Sequence, residues 1–375
     1  MSLPPFTLVN SSKAWAACLA ALEQQPVFAI DLEANSLYAY REEICLIQIT
    51  VPGIDYIVDP LAGFDLEPLG RLIENPEVEK VLHSAEYDLI LMKNQFDWDM
   101  KNLFDTMWAA RILGVQRMGL ANILEQEFGV SLNKKFQKAN WCQRPLEAEK
   151  LVYAQSDTHY LLELRKRMTV ALKEGGYWQE AQEIFSEQCE VEIPDRTFDP
   201  DDFWHMRDVR KLNRKQQAVA KALFIYRDQQ ASRQNKPTFR IFGDRTIIEL
   251  ATKLPANTKE LSDVYGMTRY QINRFGESVL STIARAQHAP PPERPRPPKR
   301  RHKAISKRYD LLHRWRKNQA RKRGVESDVI LNRSTLWELA ERNPKTSPEL
   351  SQIESLGPWR RQQYGDELLQ LLSGA

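Results

Sequence analysis

Residues 27–33 read Val-Phe-Ala-Ile-Asp-Leu-Glu, and this stretch decides the fold class of the N-terminal half of the chain. A short, largely apolar run of this kind is typical of a buried β-strand. Similar runs follow at residues 44–49, 56–59 and 78–83, with a helical pattern over residues 66–73 before the last of them. Three strands in quick succession, followed by alternating helix and strand, predict an α/β sheet domain that ends near residue 190.

The remainder of this domain has the periodicity of helices. We predict short helices over residues 85–95, 106–113 and 120–128. A longer helix is predicted to begin near Pro145, because proline is favoured in the first turn of a helix, and to end at Gly175.

The composition excludes several classes of protein. The chain has 375 residues, of which 42% are hydrophobic and 27% charged, as is usual for a globular protein of two or three domains. No apolar run approaches the roughly 18–20 residues that span a bilayer. The first residues, MSLPPFTLVN, show no basic segment followed by an apolar one. We therefore expect neither a membrane protein nor a secretory signal, and we expect a cytoplasmic location.

The four cysteines, Cys18, Cys45, Cys142 and Cys189, are far apart in the sequence. They form no CxxC pair and no spacing that is typical of a zinc site. The sequence therefore predicts reduced thiols inside a cell, and it excludes a disulfide-rich secreted scaffold and a zinc module.

The net charge of +3 conceals a strong difference between the two halves of the chain. Residues 1–200 contain 18 Lys and Arg against 31 Asp and Glu, a balance of −13, whereas residues 201–375 contain 35 against 19, a balance of +16. An acidic half joined to a basic half is typical of a protein whose second half binds a polyanion such as nucleic acid. A charged surface that only keeps the protein in solution is the alternative.

The basic half contains a tandem duplication. When the chain is shifted by 89 positions, residues 223–283 align with residues 312–372 without a gap, and 15 of the 61 aligned positions are identical. We therefore predict two copies of one compact helical unit. A local slip of the alignment is expected where Gly266 and Gly357 are brought together.

A segment rich in proline and arginine, residues 288–303, separates the two copies. Its prolines favour an extended, semi-rigid spacer, which either contacts phosphates or is simply solvated. We therefore divide the chain into an α/β domain at residues 1–193, a first helical domain at residues 204–287, this spacer, and a second helical domain at residues 304–375.

Asp31 and Glu33 lie two residues apart at the end of the first predicted strand. Side chains at positions i and i+2 point to the same face of a strand, so these carboxylates are close enough to repel each other unless a cation lies between them. Oxygen ligands of this kind suit Mg²⁺ or Mn²⁺. An exposed strand end without a metal is the alternative, because two acids at this spacing are common.

Tyr153 and Asp157 are four residues apart on the predicted long helix and therefore share one face. The carboxylate of Asp157 can join Asp31 and Glu33 on a metal, while the phenol of Tyr153 holds a water molecule. The alternative is a tyrosine that is half-buried in the core beside a solvated acid.

Two further acids compete for a place in such a site. Asp88 lies in the first turns of the helix after the fourth strand, and Asp105 immediately precedes another predicted helix. We interpret Asp105 as a helix N-cap that accepts hydrogen bonds from backbone N–H groups, and Asp88 as the functional acid. An acid at a helix N-terminus with no further role is the alternative for Asp88. We interpret His83, at the end of that strand, as a supporting residue and not as a metal ligand.

The order of these residues resembles the DEDD exonuclease superfamily in its tyrosine branch. More narrowly, the chain resembles ribonuclease D over nearly its whole length. The segments that carry the resemblance are AIDLEANS, CLIQIT, VLHSAEYDL, FDTMWAARILG, WCQRPL and YAQSDTHYLL. The duplicated helical unit is similar to the two HRDC domains of that family. The resemblance implies an α/β RNase H-like (DnaQ-like) exonuclease domain followed by two all-α HRDC domains.

The resemblance also implies a mechanism, namely hydrolysis from a 3′ end with two divalent ions, Mg²⁺ or Mn²⁺, and release of 5′-nucleoside monophosphates. Asp31 would bridge the two ions, Glu33 and Asp157 would complete one site, and Asp88 would hold the other ion. Tyr153 would orient the attacking water. The chain departs from the family's usual residues at Asn140, Gln155 and Thr158-His159, which leaves the substrate preference open but removes no predicted ligand.

The RNA would be held by basic residues outside the acidic site. Lys134, Lys135 and Lys138 are candidates beside the site, with a solvated loop as the alternative. The candidates in the second helical copy are Arg314, Arg316, Lys317, Arg321, Lys322 and Arg323. Tyr226 and Trp315, at matching positions of the two copies, are interpreted as core residues.

The sequence therefore favours a 3′→5′ exoribonuclease that trims structured RNA, with tRNA precursors as the expected partner and no obligate protein partner. Two alternatives remain. In the first, the substrate is DNA, since a metal site does not read the 2′-hydroxyl. In the second, the chain is a nucleic-acid-binding adaptor that has lost catalysis.

Overall fold

The computed structural model describes residues 3–132, 135–296 and 301–374. The chain divides into two compact units. The first comprises Met1–Glu33, Ile44–Ile193 and Lys299–Ala375, and the second comprises Ala34–Glu43 and Pro194–Pro298. Lys134 and residues 297–300 of the predicted spacer lie outside the described residues. The second helical copy thus belongs to the same unit as most of the predicted α/β domain.

Six strands in the described part of the first unit form one mixed sheet. They are β1 (Thr7–Val9), β2 (Val27–Ala34), β3 (Ile44–Val51), β4 (Ile54–Val58), β5 (Glu79–Leu82) and β6 (Leu103–Asp105). Their order is β1-β4-β3-β2-β5-β6. The pairs β1 with β4, β2 with β5 and β5 with β6 are parallel, and β3 with β4 is antiparallel. Strands β2 to β5 are those predicted, whereas the sequence did not indicate β1 and β6, which have three residues each.

The helices of this domain are α1 (Ser12–Leu22), α2 (Glu67–Glu74), α3 (Glu86–Phe96), α4 (Thr106–Ile112), α5 (Leu120–Phe128), α6 (Ala148–His159), α7 (Leu161–Glu174) and α8 (Trp178–Cys189). The single long helix predicted from Pro145 is wrong in two respects. It starts at Ala148, and it is divided into α6 and α7 at Tyr160. The division has a physical reason, because α6 packs on β3 and β4 whereas α7 packs on β5, so the chain must change direction between them.

The core on one face of the sheet fixes the position of β2. Ala29 of β2, Val81 of β5 and Phe104 of β6 are fully buried against α4, α7 and α8. Complete burial of a large apolar side chain such as Phe104 contributes about 1.5–3 kcal/mol relative to exposure. Strand β2, which carries Asp31 and Glu33, is therefore part of a rigid layer.

The second unit contains the first helical copy. Its helices are α9 (Arg214–Gln234), α10 (Thr238–Ile241), α11 (Asp244–Lys253), α12 (Thr258–Leu261) and α13 (Arg269–Ala286). Helix α9 begins with a capping box formed by Asn213 and Gln216, which satisfies backbone N–H groups at both positions. The segment that follows Glu33 is tied to the same helix, since the hydroxyl of Tyr40 donates to Asp228 at 2.7 Å.

The second helical copy lies in the first unit. Its helices are α14 (Lys303–Arg323), α15 (Ser327–Ile330), α16 (Arg333–Arg342), α17 (Ser347–Leu350) and α18 (Pro358–Ser373). The ion pairs that join it to α4 and α8 are Arg323 with Glu180, Arg360 with Glu183 and Glu187, and Arg111 with Glu326 and Asp328. Glu180 and Arg360 are almost completely buried, so these contacts belong to a packed interface and not to a solvated surface.

The five helices of the second copy each begin 89 positions after their counterparts in the first copy. The predicted slip between Gly266 and Gly357 is therefore wrong. The buried pairs at the constant shift are Val264 with Ile353 and Met267 with Leu356. The buried core residues therefore determine how the two copies align. The two glycines are not equivalent positions. Gly266 lies in a turn with φ of 82°, whereas Gly357 is the N-cap of α18.

The prediction of four reduced thiols is also wrong. Cys45 at the start of β3 and Cys142 in the loop before α6 form a disulfide with a Cα–Cα distance of 4.9 Å. The two residues are 97 positions apart, and only the packing of that loop against β3 brings them together. Cys18 and Cys189 are free thiols. Among the described helices, none combines the length and the apolar character that crossing a bilayer requires.

Candidate active site

Strand β2 presents two carboxylates near its C-terminal end. Asp31 and Glu33 alternate with the buried residues Ile30 and Leu32, so both acids point to the same face of the sheet. Ala29, two residues before Asp31, belongs to the core on that face. The acids therefore project from a fixed strand and not from a loop.

Helix α6 brings a third carboxylate to this point. Ligand oxygens of Asp31, Glu33 and Asp157 all lie within 4.8 Å of one another. The helix is held on the sheet by polar contacts, including one of 2.9 Å between the hydroxyls of Thr50 and Thr158. Three oxygen donors in such a group suit a hard cation such as Mg²⁺ or Mn²⁺.

Two polar side chains of α6, those of Gln155 and His159, help to hold this helix in place. The amide of Gln155 donates to Asp55 on β4 at 2.6 Å, and Nδ1 of His159 lies 2.7 Å from the same carboxylate. Burial would raise the pKa of Asp55, but hydrogen bonds from His159, Gln155 and Thr50 hold it below its ordinary value. An ionised, buried carboxylate thus anchors the helix that carries Asp157.

Asp88, the fourth predicted ligand, lies in the first turn of α3 and is buried. Its carboxylate does not belong to the group of oxygens within 4.8 Å that the described residues form. Burial and then the charge of Asp31 raise the pKa of Asp88 well above its ordinary value. The structure therefore brings three of the predicted ligands together and places the fourth close enough to interact with them.

The acids of this cluster raise one another's pKa values. Burial raises the pKa of Asp31 to about 7. Burial and then the charges of Asp31, Asp157 and Asp88 raise the pKa of Glu33 to about 10. Burial and the charge of Asp31 also raise the pKa of Asp157 well above its ordinary value. Because carboxylates this close are stable in the ionised form only when a cation neutralises them, the donor set fits a bound divalent metal.

Tyr153 lies one helical turn before Asp157. Its ring stacks on Trp141 at a centroid distance of 5.9 Å, and its edge meets Phe136 at 5.9 Å. Burial and then the charges of Asp157, Glu33 and Asp31 raise the pKa of Tyr153 above its ordinary value. The hydroxyl therefore stays protonated at neutral pH and can position a water molecule, but it cannot act as a base.

Asp105 has the structural role that the sequence predicted. As the N-cap of α4, its carboxylate accepts from the backbone N–H of Met107 at 2.8 Å and of Trp108 at 3.2 Å. His83 lies nearby, with Nδ1 2.9 Å from the hydroxyl of Thr106. Burial lowers the pKa of His83, so the ring is neutral at pH 7 and forms a local hydrogen bond, as expected.

Gln48 is a buried polar residue near the site that the sequence did not indicate. This residue is fully buried on β3, and both polar atoms of its amide lack a partner among the described residues. It lies between Leu46, in the core cluster of Tyr153, and Thr50, which contacts Thr158, so it faces α6. The signal was a single amide in the otherwise apolar run of residues 44–49.

The predicted phosphate-binding residues differ in how accessible they are. Lys135 and Lys138 are exposed, and Lys135 pairs with Glu149 at 3.1 Å. The exposed candidates on α14 are Arg314, Lys317, Arg321 and Lys322. Arg316 and Arg323 point into the protein instead, since Arg316 donates to the carbonyl of Leu331 and Arg323 pairs with Glu180. Lys134 lies outside the described residues.

Comparison with known proteins accords with this arrangement. Residues 6–173 match the family model described as 3′-5′ exonuclease, and residues 216–283 and 306–372 each match the model of the HRDC domain. A ribonuclease D of Gluconacetobacter diazotrophicus is 28% identical to this chain, over 99% of this chain and 94% of its own length. The chain belongs to the ribonuclease D family. It is therefore a 3′→5′ exoribonuclease, as predicted, and the exonuclease domain implies the use of a divalent metal.

Two solved structures share the fold. RNase D of Escherichia coli, described as an exoribonuclease involved in structured RNA processing, has a TM-score of 0.67 and 22% identity over 99% of both chains. The catalytic core of RRP6 from Trypanosoma brucei has a TM-score of 0.68 and 28% identity, over 76% of this chain and 81% of that chain. The prediction of an RNase H-like exonuclease domain followed by helical HRDC domains is confirmed.

Proposed function

We propose that this ribonuclease D family member trims the 3′ ends of structured RNA, with tRNA precursors in the cytoplasm as substrates, by two-metal-ion hydrolysis. The observation that carries the proposal is the group formed by Asp31, Glu33 and Asp157, whose ligand oxygens lie within 4.8 Å of one another. The E. coli relative is described as acting in structured RNA processing, which supports this substrate class. We retain the domain boundaries given above as part of the proposal.

We infer the roles of the side chains from their positions. Asp31, Glu33 and Asp157 would hold one ion, and Asp31 and Asp88 would hold a second. When bound, the ions activate a water nucleophile and neutralise charge on the phosphate and on the leaving 3′ oxygen. The protonated hydroxyl of Tyr153 positions the attacking water in line with the bond that breaks. The product is a 5′-nucleoside monophosphate.

The basic half of the chain supplies the affinity for RNA. A cluster of four acids repels a phosphodiester, so the active site by itself gives little binding energy. Residues 201–375 carry a charge of +16, and the exposed residues Arg314, Lys317, Arg321 and Lys322 lie along one helix of the second copy. Such residues bind phosphates by displacing condensed counterions.

The test is a time course on a 5′-labelled tRNA precursor that has an unpaired 3′ extension. The reaction is run with Mg²⁺, with Mn²⁺ and with EDTA, beside a DNA strand of matching sequence. We expect a ladder that shortens from the 3′ end of the RNA and requires the metal. Equal degradation of the DNA would contradict the substrate assignment. Tight, salt-sensitive binding without cleavage of either strand would show an adaptor instead of an enzyme.

The matched variants are Asp31→Ala with Glu33→Ala, and Asp99→Ala as a control. Asp99 is an exposed acid on the same domain that pairs with Lys93 and takes no part in the cluster. We expect the double variant to lose activity by at least about a thousandfold while it still binds RNA, and Asp99→Ala to remain active. A double variant with unchanged activity would rule out the two-metal mechanism.

A further inference from the structure

The disulfide lies beside the tyrosine of the active site. Cys45 and Cys142 belong to one apolar cluster with Tyr153, Trp141 and Phe136. Trp141 immediately precedes Cys142 and is buried, and its ring stacks on Tyr153. The crosslink therefore fixes to β3 the loop whose aromatic side chains support Tyr153.

The loop has a second anchor that does not depend on the cysteines. Arg144 donates to both carboxylate oxygens of Asp59 at 2.7 Å and to the carbonyl of Cys45 at 2.7 Å. It also donates to the carbonyl of Trp141 at 2.6 Å. Cleavage of the disulfide would remove the crosslink and give the loop more freedom. The contacts of Arg144 would remain, so the domain would stay folded.

The two cysteines differ in their exposure to solvent. Cys45 is completely buried, whereas Cys142 is partly exposed. We therefore take Cys142 as the residue that a thiolate in solution attacks.

We propose that the Cys45–Cys142 pair is a reversible redox site, and that reduction by a dithiol lowers exonuclease turnover by freeing the loop that supports Tyr153. This inference rests on the role of Tyr153 in the proposed function. The partner is a dithiol reductant, and a low-molecular-weight disulfide such as oxidised glutathione is the oxidant that reverses the step.

The chemistry balances between the two partners. One thiolate of the reductant attacks the sulfur of Cys142, and the sulfur of Cys45 leaves as a thiolate that takes up a proton. The second thiol of the reductant, as its thiolate, then attacks the reductant's other sulfur, which is bonded to Cys142 in the mixed disulfide. Cys142 leaves as a thiolate and takes up a proton. Two electrons and two protons pass to the protein, and the reductant becomes a disulfide.

The first measurement is the number of thiols in the unfolded, unreduced full-length chain. We expect two of the four cysteines, Cys18 and Cys189, to react with a thiol reagent before reduction and all four after it. Four reactive thiols in protein purified without reductant and treated with oxidised glutathione would overturn the proposal.

The second measurement compares turnover in the two redox states. We expect dithiothreitol to lower kcat on a short single-stranded RNA by roughly tenfold to a hundredfold with little change in KM, because misplacement of a positioning group by about 1 Å costs up to a hundredfold. Oxidised glutathione should restore kcat. Cys45→Ser with Cys142→Ser should stay at the reduced level under both conditions, whereas Cys18→Ser with Cys189→Ser should respond as the unaltered protein does. Equal kcat in both redox states of the unaltered protein would overturn the proposal.

A readout that needs no catalysis separates this inference from the proposed function. Lys135 and Lys138 are exposed trypsin sites in the same loop, and a loop that opens more often is cleaved faster. We expect reduction to speed cleavage at these two lysines by severalfold, with no change at Lys173 on α7. If the chain degrades no RNA in either state, the proposed function fails while this rate still decides the redox proposal. Unchanged cleavage would refute it.

Discussion

Replacement of Arg323 by Gln removes the partner of a buried carboxylate. Glu180 on α8 is completely buried, and it accepts a hydrogen bond from Arg323 on α14 at 2.6 Å. Loss of one partner from a buried ion pair costs about 3–5 kcal/mol, because it leaves a charge without compensation. The first helical copy has Gln234 at the matching position, so glutamine is compatible with the helix itself.

The size of this effect should depend on pH. Burial raises the pKa of Glu180 above its ordinary value of 4.5, and the charge of Arg323 opposes that rise. Without the arginine the pKa rises further. A carboxyl whose pKa is raised in the folded state binds more protons there than in the unfolded chain, so stability falls as the pH rises from 4.5 through the folded pKa. The destabilisation by R323Q should therefore be small below about pH 4.5 and largest at neutral pH.

The assay is thermal unfolding followed by circular dichroism at several pH values. For a unit of this size each kcal/mol corresponds to roughly 2–4 °C in Tm, so R323Q should lower the Tm of the first unit by about 6–20 °C at pH 7. Arg321→Gln is the matched control, since it removes the same charge from an exposed position on the same helix and should cost less than about 0.5 kcal/mol. If R323Q destabilises no more than R321Q, the buried pair does not hold the second copy in place.

Three further results are expected. Tyr153→Phe should lower kcat about tenfold to a hundredfold with little change in KM, as measured in single-turnover and steady-state assays. A change confined to KM would contradict the role of Tyr153 in positioning water. Tyr270→Ala should weaken the binding of single-stranded RNA by about 1–3 kcal/mol in filter binding, because this ring is 54% exposed and directly follows Arg269 in the basic half of the chain. Unchanged affinity would exclude base stacking there. Arg321→Gln combined with Lys322→Gln should reduce the slope of log K against log salt by about 1.4, or roughly 0.7 for each phosphate contact, and an unchanged slope would remove both residues from the RNA-binding surface.

The features that the sequence predicted are those with a local pattern. Strands β2 to β5 were visible as apolar runs, and Asp31 and Glu33 were assigned to one face because the side-chain period of a strand is two. Asp105 was recognisable as an N-cap because it directly precedes a helix. The duplication was visible because its two copies keep one register through five helices.

The features that the sequence did not predict depend on distant contacts. The disulfide joins residues 97 positions apart, and nothing near Cys45 or Cys142 indicates the other. Strands β1 and β6 have three residues each, which is too short for a periodic pattern. The inward orientation of Arg323 follows from an acid on α8, so its position in a run of basic residues suggested a solvent-exposed side chain instead.

The two helical copies have come to differ at the start of their last helix. In the first copy the side chain of Thr268 caps α13 by accepting from the backbone N–H of Gln271. The matching residue of the second copy, Gly357, has no side chain to cap α18. The carboxylate of Glu183 on α8 takes that role, accepting from the backbone N–H of Trp359 at 2.6 Å and of Arg360 at 3.3 Å.

This difference makes the second copy depend on the exonuclease domain. A Cβ atom at Gly357 would lie 2.1 Å from the carboxyl carbon of Glu183, so a threonine like that of the first copy requires the Glu183 side chain to move away and give up its capping role. An anion at a helix N-terminus is favourable, and loss of a capping side chain costs about 1 kcal/mol. In the second copy the cap of this one helix is therefore supplied by the exonuclease domain. The folding of α18 and its docking are therefore coupled, whereas α13 of the first copy is capped by Thr268 within its own unit.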